Sequence, residues 1–300
     1  MFKSDTNLII LTIHCQLYVI RFVNDTFKYS CVNTMKNLNI SEILNPLLEE
    51  VAEIAGYLWQ REWIERNGGN ISIDVTEQFR GSTFENDLHF EKADFPKEAA
   101  NMYLYITGAN CHLRKLIDTI EDVSCVLYIN DTADAYAVIW GGYKSDFRPT
   151  SEMASHLTIH VYNKLHNPNN KVVLHAHPSE LIVLSHHDIF KDEDKLNETV
   201  WKMCPEVRVY IPNGIGCVPY AITQSDELAY NTIEAFKNRD VALWEKHGAT
   251  VTAPTLEEAW DFMDVANKGA KLLLMSWSSG FKPEGIFKEH IQALETLFNL

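Results

Sequence analysis

The sequence predicts an α/β fold in which helices cover a central sheet. Strand-like apolar runs alternate with stretches in which apolar residues recur every three or four positions, as on one face of a helix. The chain has 300 residues, 46% of them hydrophobic, and its composition does not shift inside the body of the chain. We therefore predict one domain without internal repeats.

The charge and the cysteines limit the class of protein. With a net charge of −15 at pH 7, most of the surface repels nucleic acid and anionic membranes, so we expect neither as a partner. The six cysteines are scattered and include no C-x-x-C pair, which is typical of reduced thiols in a cytoplasmic protein. We expect a cytoplasmic protein whose metal, if it binds one, is not held by cysteine.

The first thirty-odd residues do not fit the rest of the chain. Residues 7–23 are apolar but interrupted by polar and charged side chains, which makes this segment too short and too polar to span a bilayer. The segment also lacks the small-residue cleavage site of a signal peptide. We predict that residues 1–34 are a non-native or disordered extension and that residues 35–300 form the domain; a peripheral amphipathic anchor is the alternative.

The first helix is predicted to begin at Ser41, a fair N-cap. Apolar residues follow at helical spacing: Leu44, Leu47, Val51, Ile54 and Leu58. Gly68 and Gly69 would end this helix before a strand at 71–73. The turn ERNGGN at 65–70 is either an anion-binding loop, because glycines let backbone N–H groups approach an anion, or a simple helix-to-strand turn.

The next segments alternate between loops and strands. Residues 76–100 are polar and predict a loop or a hairpin. A strand at 102–106 ends in the turn TGAN at 107–110, whose glycine and threonine hydroxyl suit a phosphate group. Segments 125–129 and 136–140 predict a hairpin.

A further helix is predicted to begin at the sequence PTSE. Thr150 or Ser151 would cap it, and Glu152 would lie in its first turn, where hydroxyls and a carboxylate suit an anionic substrate beside a base. Glu152, His156 and His160 recur every four residues on one face and form one candidate metal site. The alternative, which we favour, is that both histidines are partly buried structural residues.

The stretch KVVLHAHPSE at 171–180 carries the other candidate metal site. Side chains two positions apart on a strand point the same way, so His175 and His177 would project together from a strand end. A later strand at 241–245 leads to His247, a third imidazole. Imidazoles suit zinc, and a catalytic zinc usually takes three protein ligands and keeps one position open.

The C-terminal part of the chain predicts further strands and helices. Residues 206–211 read as a strand, and Ser225 as the cap of a helix at 226–238. The capping box TLEE opens a long helix that extends to roughly residue 277, and a last helix completes the chain.

Four stretches, ERNGGN, YITG, PTSE and HAHP, occur in this order and are followed by a distant HG at a strand end. Together they closely resemble the class II (zinc-dependent) sugar-phosphate aldolase family, from about residue 35 to the C-terminus. Each motif alone is weak, but all five agree in order and spacing. The resemblance implies a single α/β domain with a central, mainly antiparallel β-sheet covered by helices.

The resemblance also implies the catalytic and metal-binding residues. One zinc ion per subunit would be held by His175, His177 and His247. Glu152 matches the acidic residue that moves protons, and Glu206 aligns with a glutamate that reaches a neighbouring subunit's site as a second acid/base group. Related enzymes are cyclic tetramers with active sites at subunit interfaces, so a homotetramer is implied as well.

A further set of residues would bind the substrate and its phosphate: Asn67, Gly69, Asn70, Thr107, Gly108, Asn110, Thr150 and Ser151. The chain departs from the family at the phosphate turn, where TGSG or TGTG is usual and Ala109 and Asn110 stand instead. One hydroxyl contact to the phosphate is therefore lost, and the amide of Asn110 is the group available to replace it.

The activity implied by the resemblance is reversible retro-aldol cleavage of a phosphorylated ketose. The ERNGGN form and the long insertion before YITG favour the branch that cleaves L-rhamnulose 1-phosphate to dihydroxyacetone phosphate and L-lactaldehyde. Alternatives are L-fuculose- or L-ribulose-phosphate aldolases and epimerases. The adducin head domain shares the fold but is a structural module without the metal set, and the presence of the three histidines and Glu152 argues against it.

Overall fold

The computed structural model describes residues 8–13, 16–23 and 26–30 as strands, and residues 40–82 and 88–300 in full. The helices are α1 (Ile40–Gln60), α2 (Leu116–Val123), α3 (Met153–His166), α4 (Ser179–Ser185), α5 (Glu193–Trp201), α6 (Pro205–Tyr210), α7 (Asp226–Phe236), α8 (Leu256–Ser278) and α9 (Lys288–Phe298). The strands are β1 (Leu8–Ile13), β2 (Gln16–Val23), β3 (Thr26–Ser30), β4 (Asn70–Asp74), β5 (Phe90–Lys92), β6 (Tyr103–Thr107), β7 (Ser124–Ile129), β8 (Ala135–Gly141), β9 (Val172–Ala176), β10 (Ile215–Val218), β11 (Val241–Trp244) and β12 (Gly248–Ala253).

The three N-terminal strands form a sheet of their own. β1 pairs with β2 and β2 with β3, both antiparallel. The other residues of segment 1–34 lie outside the described part of the chain. That this segment is a non-native or disordered extension, and that residues 35–300 form the domain, stays a prediction.

Nine of the described strands build the central sheet, in the order β10-β11-β12-β9-β4-β6-β7-β8-β5. Neighbouring strands in this sheet run antiparallel, except for the parallel pair β10 and β11. The predicted α/β class with a mainly antiparallel sheet is confirmed. β9 and β4, which carry site residues, lie near the middle of the sheet, where neighbours on both sides hold their backbones.

Helices bury both faces of the sheet. Alternate residues of β9 point to opposite faces, so Leu174 packs in the core formed with α1 and α8, whereas Val173 packs in the core formed with α3 and α7. Every residue of β9 is buried. The face covered by α3 is also the face toward which His175 points, since His175 lies two positions from Val173 on the strand.

Several helix boundaries follow from local sequence signals, as predicted. The Ser225 hydroxyl accepts a hydrogen bond from the Leu228 N–H at 3.2 Å and caps α7. The Thr255 hydroxyl accepts from the Glu258 N–H at 3.1 Å and caps α8. Both caps satisfy an N–H group that has no partner inside the helix.

The predicted strand at 206–211 is wrong, because this stretch is the helix α6. Its alternating valines suggested a strand, but Pro205 occupies the first turn, where its missing N–H costs no hydrogen bond. Val207 and Ile211, four residues apart, are both fully buried, as on one helix face. The strand lies instead at β10, after the turn.

Two smaller differences concern the N-terminal half. α1 ends at Gln60, so Gly68 and Gly69 lie in a separate loop and do not end the helix. Within 76–100 the short strand β5 pairs with β8, so it forms no local hairpin; residues 83–87 lie outside the description. No helix in the described part of the chain combines the length and the apolar character needed to cross a membrane.

Candidate metal centre and active site

Three histidines converge where strands of the central sheet end. His175 lies in β9, His177 directly follows that strand, and His247 lies in the turn between β11 and β12. Because β12 pairs with both β9 and β11, this turn brings His247 beside the other two. The ring centroids are 5.0, 5.1 and 5.3 Å apart, and one ligand nitrogen from each histidine lies within 4.8 Å of the others. This is an arrangement that can hold one metal ion.

Hydrogen bonds orient two of the three rings. His175 Nδ1 lies 3.0 Å from the carbonyl oxygen of Ala249, and His177 Nδ1 lies 2.6 Å from a carboxylate oxygen of Glu65. Both partners accept, so each Nδ1 donates and each neutral ring keeps Nε2 as the bare nitrogen. Metal-binding histidines characteristically donate their second N–H to a carbonyl or carboxylate in this way.

The protonation state of the cluster also suits a metal. Burial lowers the pKa of His175 well below its ordinary value of 6.5, and the nearby His177 lowers it further. Burial, again with His177, lowers the pKa of His247 to about 4. Both imidazoles are therefore neutral near pH 7, as a metal ligand must be. The donor set fits a divalent ion that prefers nitrogen ligands.

Close packing fixes the rings as well. A Cβ on Gly68 would lie 2.8 Å from His177 Cε1, and a Cβ on Gly248 would lie 3.0 Å from His175 Cε1. Only glycine fits at these two positions, because the Cβ of any other residue would displace a histidine ring. On its other side, the His175 ring stacks on the indole of Trp244 at 4.4 Å between centroids.

The histidines line a cavity of about 230 Å³. Its other lining residues are Asn67, Gly68, Gly69, Asn70, Gly108, Ala109, Asn110, Thr150, Ser151, Glu152, Thr223 and Gln224. Clefts of about 720 and 530 Å³ lie elsewhere on the described surface. The smaller cavity is the better site, because it brings neutral imidazoles, a buried carboxylate and two glycine turns together.

Glu152 is the carboxylate of this cavity. It occupies the N-cap position of α3 rather than the first turn, and the predicted capping by Thr150 or Ser151 is wrong because no side chain caps this helix. The Glu152 side chain is only 7% exposed. Burial raises its pKa above the ordinary value of 4.5, while the hydrogen bond from Asn70 and the proximity of His177 lower it. A carboxyl group with opposed influences of this kind suits proton transfer.

Asn70 holds Glu152 and is itself held. Its Nδ2 donates to Glu152 Oε2 at 2.7 Å, and its Oδ1 is hydrogen-bonded to His156 Nε2. Both ends of the amide are therefore engaged inside the protein, which favours a role in positioning Glu152 over the expected contact with phosphate. His156 and His160 are buried and both contact the hydroxyl of Ser72, so they do not form a metal site with Glu152.

The turn at Gly108 and Ala109 offers fewer free backbone N–H groups to an anion than the sequence suggested. The N–H of Gly108 donates to the carbonyl of Val123, and that of Ala109 to the carbonyl of Arg148, each at 2.8 Å. An anion in the cavity would therefore depend on side chains and on the other turn. Asn110 lies in the left-handed region with a φ of 54°, which asparagine tolerates better than most residues, and it lines the cavity.

Two of the expected site residues do not line the cavity. Thr107 is fully buried, and its hydroxyl accepts from the N–H of Ile71 at 3.1 Å, so it links two strands instead of lining the cavity. Glu206 is exposed on α6 and does not line the cavity of its own chain.

Sequence reasoning also missed three residues of the site. Thr223 and Gln224 come from the segment before α7 and line the cavity, and Gln224 has a positive φ of 69°. Nothing in their sequence indicates this position. Glu65 could have been found, because a carboxylate three residues before a paired glycine turn is available to orient a histidine.

Comparisons with known proteins agree with this geometry. The model of the Class II Aldolase and Adducin N-terminal domain family matches residues 49–274, which include all the cavity residues. The rhamnulose-1-phosphate aldolase of Bacteroides thetaiotaomicron is 35% identical over 259 residues, which cover 84% of this chain and 94% of that protein. The rhamnulose-1-phosphate aldolase of Mannheimia succiniciproducens is 29% identical and covers 81% of this chain, with 90% of its own length matched.

Solved structures agree as well. The crystal structure of a sugar-phosphate aldolase from Thermotoga maritima superposes with a TM-score of 0.69 at 29% identity, covering 81% of this chain and 99% of that one. The match of the family model over most of the chain and the identity to the Bacteroides protein lead to one conclusion. The chain belongs to the class II aldolase and adducin N-terminal domain family.

Proposed function

We propose that the protein is a zinc-dependent aldolase that reversibly cleaves L-rhamnulose 1-phosphate to dihydroxyacetone phosphate and L-lactaldehyde. The observation that carries the proposal is the cavity in which three convergent imidazoles lie together with a buried carboxylate, Glu152. The names of the relatives from Bacteroides and Mannheimia support this substrate. An adducin-like structural role would not require this set of residues.

His175, His177 and His247 would hold the zinc ion. Three nitrogen ligands that leave one position open are typical of catalytic zinc. When bound, the metal supplies a Lewis acid that stabilises the negative charge left on the ketose oxygens as the carbon–carbon bond breaks. Glu65 would keep His177 in the orientation that the metal needs, because its Oε1 accepts a hydrogen bond from the Nδ1–H of His177 at 2.6 Å between the two heavy atoms.

The chain's own groups would move the protons. In cleavage, a base takes the proton of the C4 hydroxyl, the C3–C4 bond breaks and L-lactaldehyde leaves. The electron pair remains on the dihydroxyacetone phosphate half, and C3 must then receive a proton. Glu152 is the group for this step, because its carboxyl is buried beside the cluster and its pKa is raised by burial. In the reverse direction Glu152 removes the same C3 proton.

The phosphate would bind on the side of the cavity formed by the two turns. Asn67 and Gly69 lie on one turn and Asn110 on the other, and Ser151 directly precedes the N-cap of α3; all four line the cavity. These groups are neutral hydrogen-bond donors, so they can bind an anion in a protein of net charge −15.

The proposal includes an assembly. Glu206 is exposed on α6 and outside its own cavity, as expected for an acid/base group supplied to a neighbouring subunit in a homotetramer. This cytoplasmic tetramer would place its active sites at the subunit interfaces. Sedimentation of the intact protein, together with the activity of a Glu206→Gln variant, tests both parts.

A coupled assay tests the reaction. The zinc-loaded protein is given L-rhamnulose 1-phosphate, and dihydroxyacetone phosphate is read with a dehydrogenase, with and without a chelator. We expect product that a chelator abolishes and added zinc restores. Fully metallated protein that forms no product would contradict the proposal.

One observation favours testing other ketose 1-phosphates in parallel. Ala109 and Asn110 line the cavity where the family usually has a hydroxyl, so the contacts to substrate differ there. L-fuculose and L-ribulose phosphates are the comparison substrates. A higher kcat/KM for either would reassign the substrate and leave the aldolase chemistry in place.

A further inference from the structure

Four buried polar residues form a line behind Glu152. Asn70 and Ser72 lie two positions apart on β4, and His156 and His160 lie four positions apart on α3. Each pair therefore presents its side chains on one face, and the two faces meet. Ser72 Oγ lies 2.6 Å from His156 Nδ1 and 2.7 Å from His160 Nε2. All four residues are less than 10% exposed, with Asn70 the most exposed at 7%.

The chemistry of the partners fixes the direction of each hydrogen bond. An ionised Glu152 only accepts, so the Asn70 group 2.7 Å from it is the amide nitrogen. Asn70 then turns its carbonyl oxygen toward His156, and Nε2 of that ring must carry the proton. The orientation of the amide therefore depends on a donor supplied by His156.

The direction continues through Ser72. A neutral His156 with its proton on Nε2 has an accepting Nδ1, so the Ser72 hydroxyl donates to it. That hydroxyl has no second hydrogen, and its oxygen must accept from His160 Nε2. His160 Nδ1 is then a bare nitrogen. Consistently, it is a buried atom without a hydrogen-bond partner among the described residues.

Both rings are neutral at physiological pH. Burial lowers the pKa of His156 to about 3 and that of His160 to about 4. The other titratable groups that act on the line are Asp74 and Lys171 beside His160, and His177 beside Glu152. Every N–H and O–H in the line therefore points from His160 toward Glu152.

We propose that His156 is a positioning residue for Glu152: through Asn70 it makes Oε2 of that carboxylate a permanent hydrogen-bond acceptor, so the proton that Glu152 transfers is carried on Oε1. The Ser72 hydroxyl, which accepts from His160 and donates to Nδ1 of His156, fixes the tautomer of His156. This inference rests on the proposed role of Glu152 in the aldolase reaction. Without the donor on His156, the Asn70 amide is free to turn its oxygen toward the carboxylate, which repels it.

The test isolates the step in which Glu152 acts. Glu152 removes the C3 proton of dihydroxyacetone phosphate and returns a deuteron in heavy water, and this exchange is followed by NMR with the zinc-loaded protein. In His156→Leu we expect the exchange rate at saturating substrate to fall about tenfold or more, with KM and zinc content nearly unchanged. The acid limb of the exchange rate should move to higher pH, because Glu152 loses a donor that stabilises its charged form.

Two variants serve as controls. His156→Gln keeps an N–H donor near the position of Nε2, and we expect it to restore most of the exchange rate and the wild-type acid limb. Asn163→Leu removes another buried hydrogen bond of α3, to Thr252 at 2.6 Å, and should cost stability without changing the pH profile. A His156→Leu protein with wild-type exchange and pH profile would overturn the proposal.

A second measurement does not require a variant to fold or the enzyme to act. In protein labelled with nitrogen-15 at histidine, His156 and His160 should both show the tautomer with the proton on Nε2. A proton on Nδ1 of His156 would reverse the line and refute the inference. If wild-type protein shows these tautomers but no exchange, the aldolase proposal fails while the hydrogen-bond direction holds.

Discussion

Two sets of histidines in this protein differ in what surrounds them, although both recur at spacings that suit a metal. His175, His177 and His247 lie at strand ends and line an open cavity. His156 and His160 lie on a helix face that is pressed against β4, and the hydroxyl of Ser72 lies within hydrogen-bond distance of both. In the first set, hydrogen-bond acceptors at Nδ1 of His175 and His177 leave Nε2 of those two rings bare. In the second set, the contacted nitrogens belong to one line of hydrogen bonds.

Position in the fold, rather than spacing along the chain, separates a candidate metal site from a structural pair of histidines. Loops and strand ends at the edge of a sheet leave side chains facing solvent-filled space, where a ligand can enter. A helix face packed on the sheet must instead satisfy its polar groups internally.

Removing a histidine of the first set should abolish activity. In His175→Ala the metal loses its most buried ligand, so we expect loss of bound zinc and a fall of turnover to the limit of detection. Zinc content by mass spectrometry and the coupled assay measure this. His186→Ala, an exposed histidine beyond α4, is the matched control and should retain both. Retention of zinc by His175→Ala would contradict the assignment.

Changing the carboxylate should separate chemistry from metal binding. Glu152→Gln keeps the shape of the side chain but cannot transfer a proton, so we expect turnover to fall about 10²- to 10⁴-fold. Zinc content should stay close to that of the wild type, because three histidines remain. Unchanged turnover would remove Glu152 from the mechanism, and loss of zinc would make it a ligand.

Removing the carboxylate that orients His177 should have an intermediate effect. In Glu65→Gln we expect zinc affinity to fall about 10- to 100-fold, with activity recovered at saturating zinc. Titration of the metal-free protein with zinc measures the affinity. Glu62→Gln, on the same exposed loop, is the control for the lost charge. Equal affinities in both variants would show that the hydrogen bond to His177 does not matter for metal binding.

The second set of histidines should affect stability and its pH dependence. Burial lowers the pKa of His160 to about 4, against an ordinary value of 6.5. Between pH 6.5 and about pH 4, the unfolded chain binds a proton at this position that the native protein does not. The free energy of unfolding is therefore highest above pH 6.5 and falls as the pH decreases. Between neutral pH and about pH 5, the free energy of unfolding falls by about 2 kcal/mol for each buried histidine of this kind.

His160→Leu removes one of these groups and isolates its share. Urea unfolding of the metal-free protein at neutral pH and near pH 5 should show a smaller decrease for this variant than for the wild type. We expect the variant to be less stable at neutral pH by about 1–3 kcal/mol, because Ser72 loses a hydrogen-bond donor. Equal pH dependence in both proteins would mean that His160 is charged in the native state.

Much of the fold, and the convergence of the three histidines, was predictable because the signals are local. Alternation along β9 places His175 and His177 on one side, and caps such as Thr255 fix where helices begin. The error at α6 has a local cause too: alternating valines suit a strand, but a proline in the first turn and burial at a spacing of four favour a helix.

The role of Asn70 could not be predicted, because it depends on contacts between distant parts of the chain. Glu152 is 82 positions away and His156 is 86 positions away, and both meet Asn70 only after α3 packs on β4. The same reason applies to Thr107, whose hydroxyl is used by the backbone of the neighbouring strand. From sequence, a polar residue beside a glycine turn suggests ligand binding. In the packed structure, the polar groups of Asn70 and Thr107 are hydrogen-bonded to other parts of the protein.

The stacking of Trp244 on His175 gives the protein an optical reporter of metal occupancy. The indole is 4.4 Å from the His175 ring and 5.2 Å from the His247 ring, and its N–H is fixed by Thr232 at 2.9 Å. A metal ion that draws electron density from both imidazoles changes how they quench this fluorophore. Of the seven tryptophans in the chain, Trp244 is therefore the one whose emission we expect to change on zinc loading, and Trp244→Phe would identify its share.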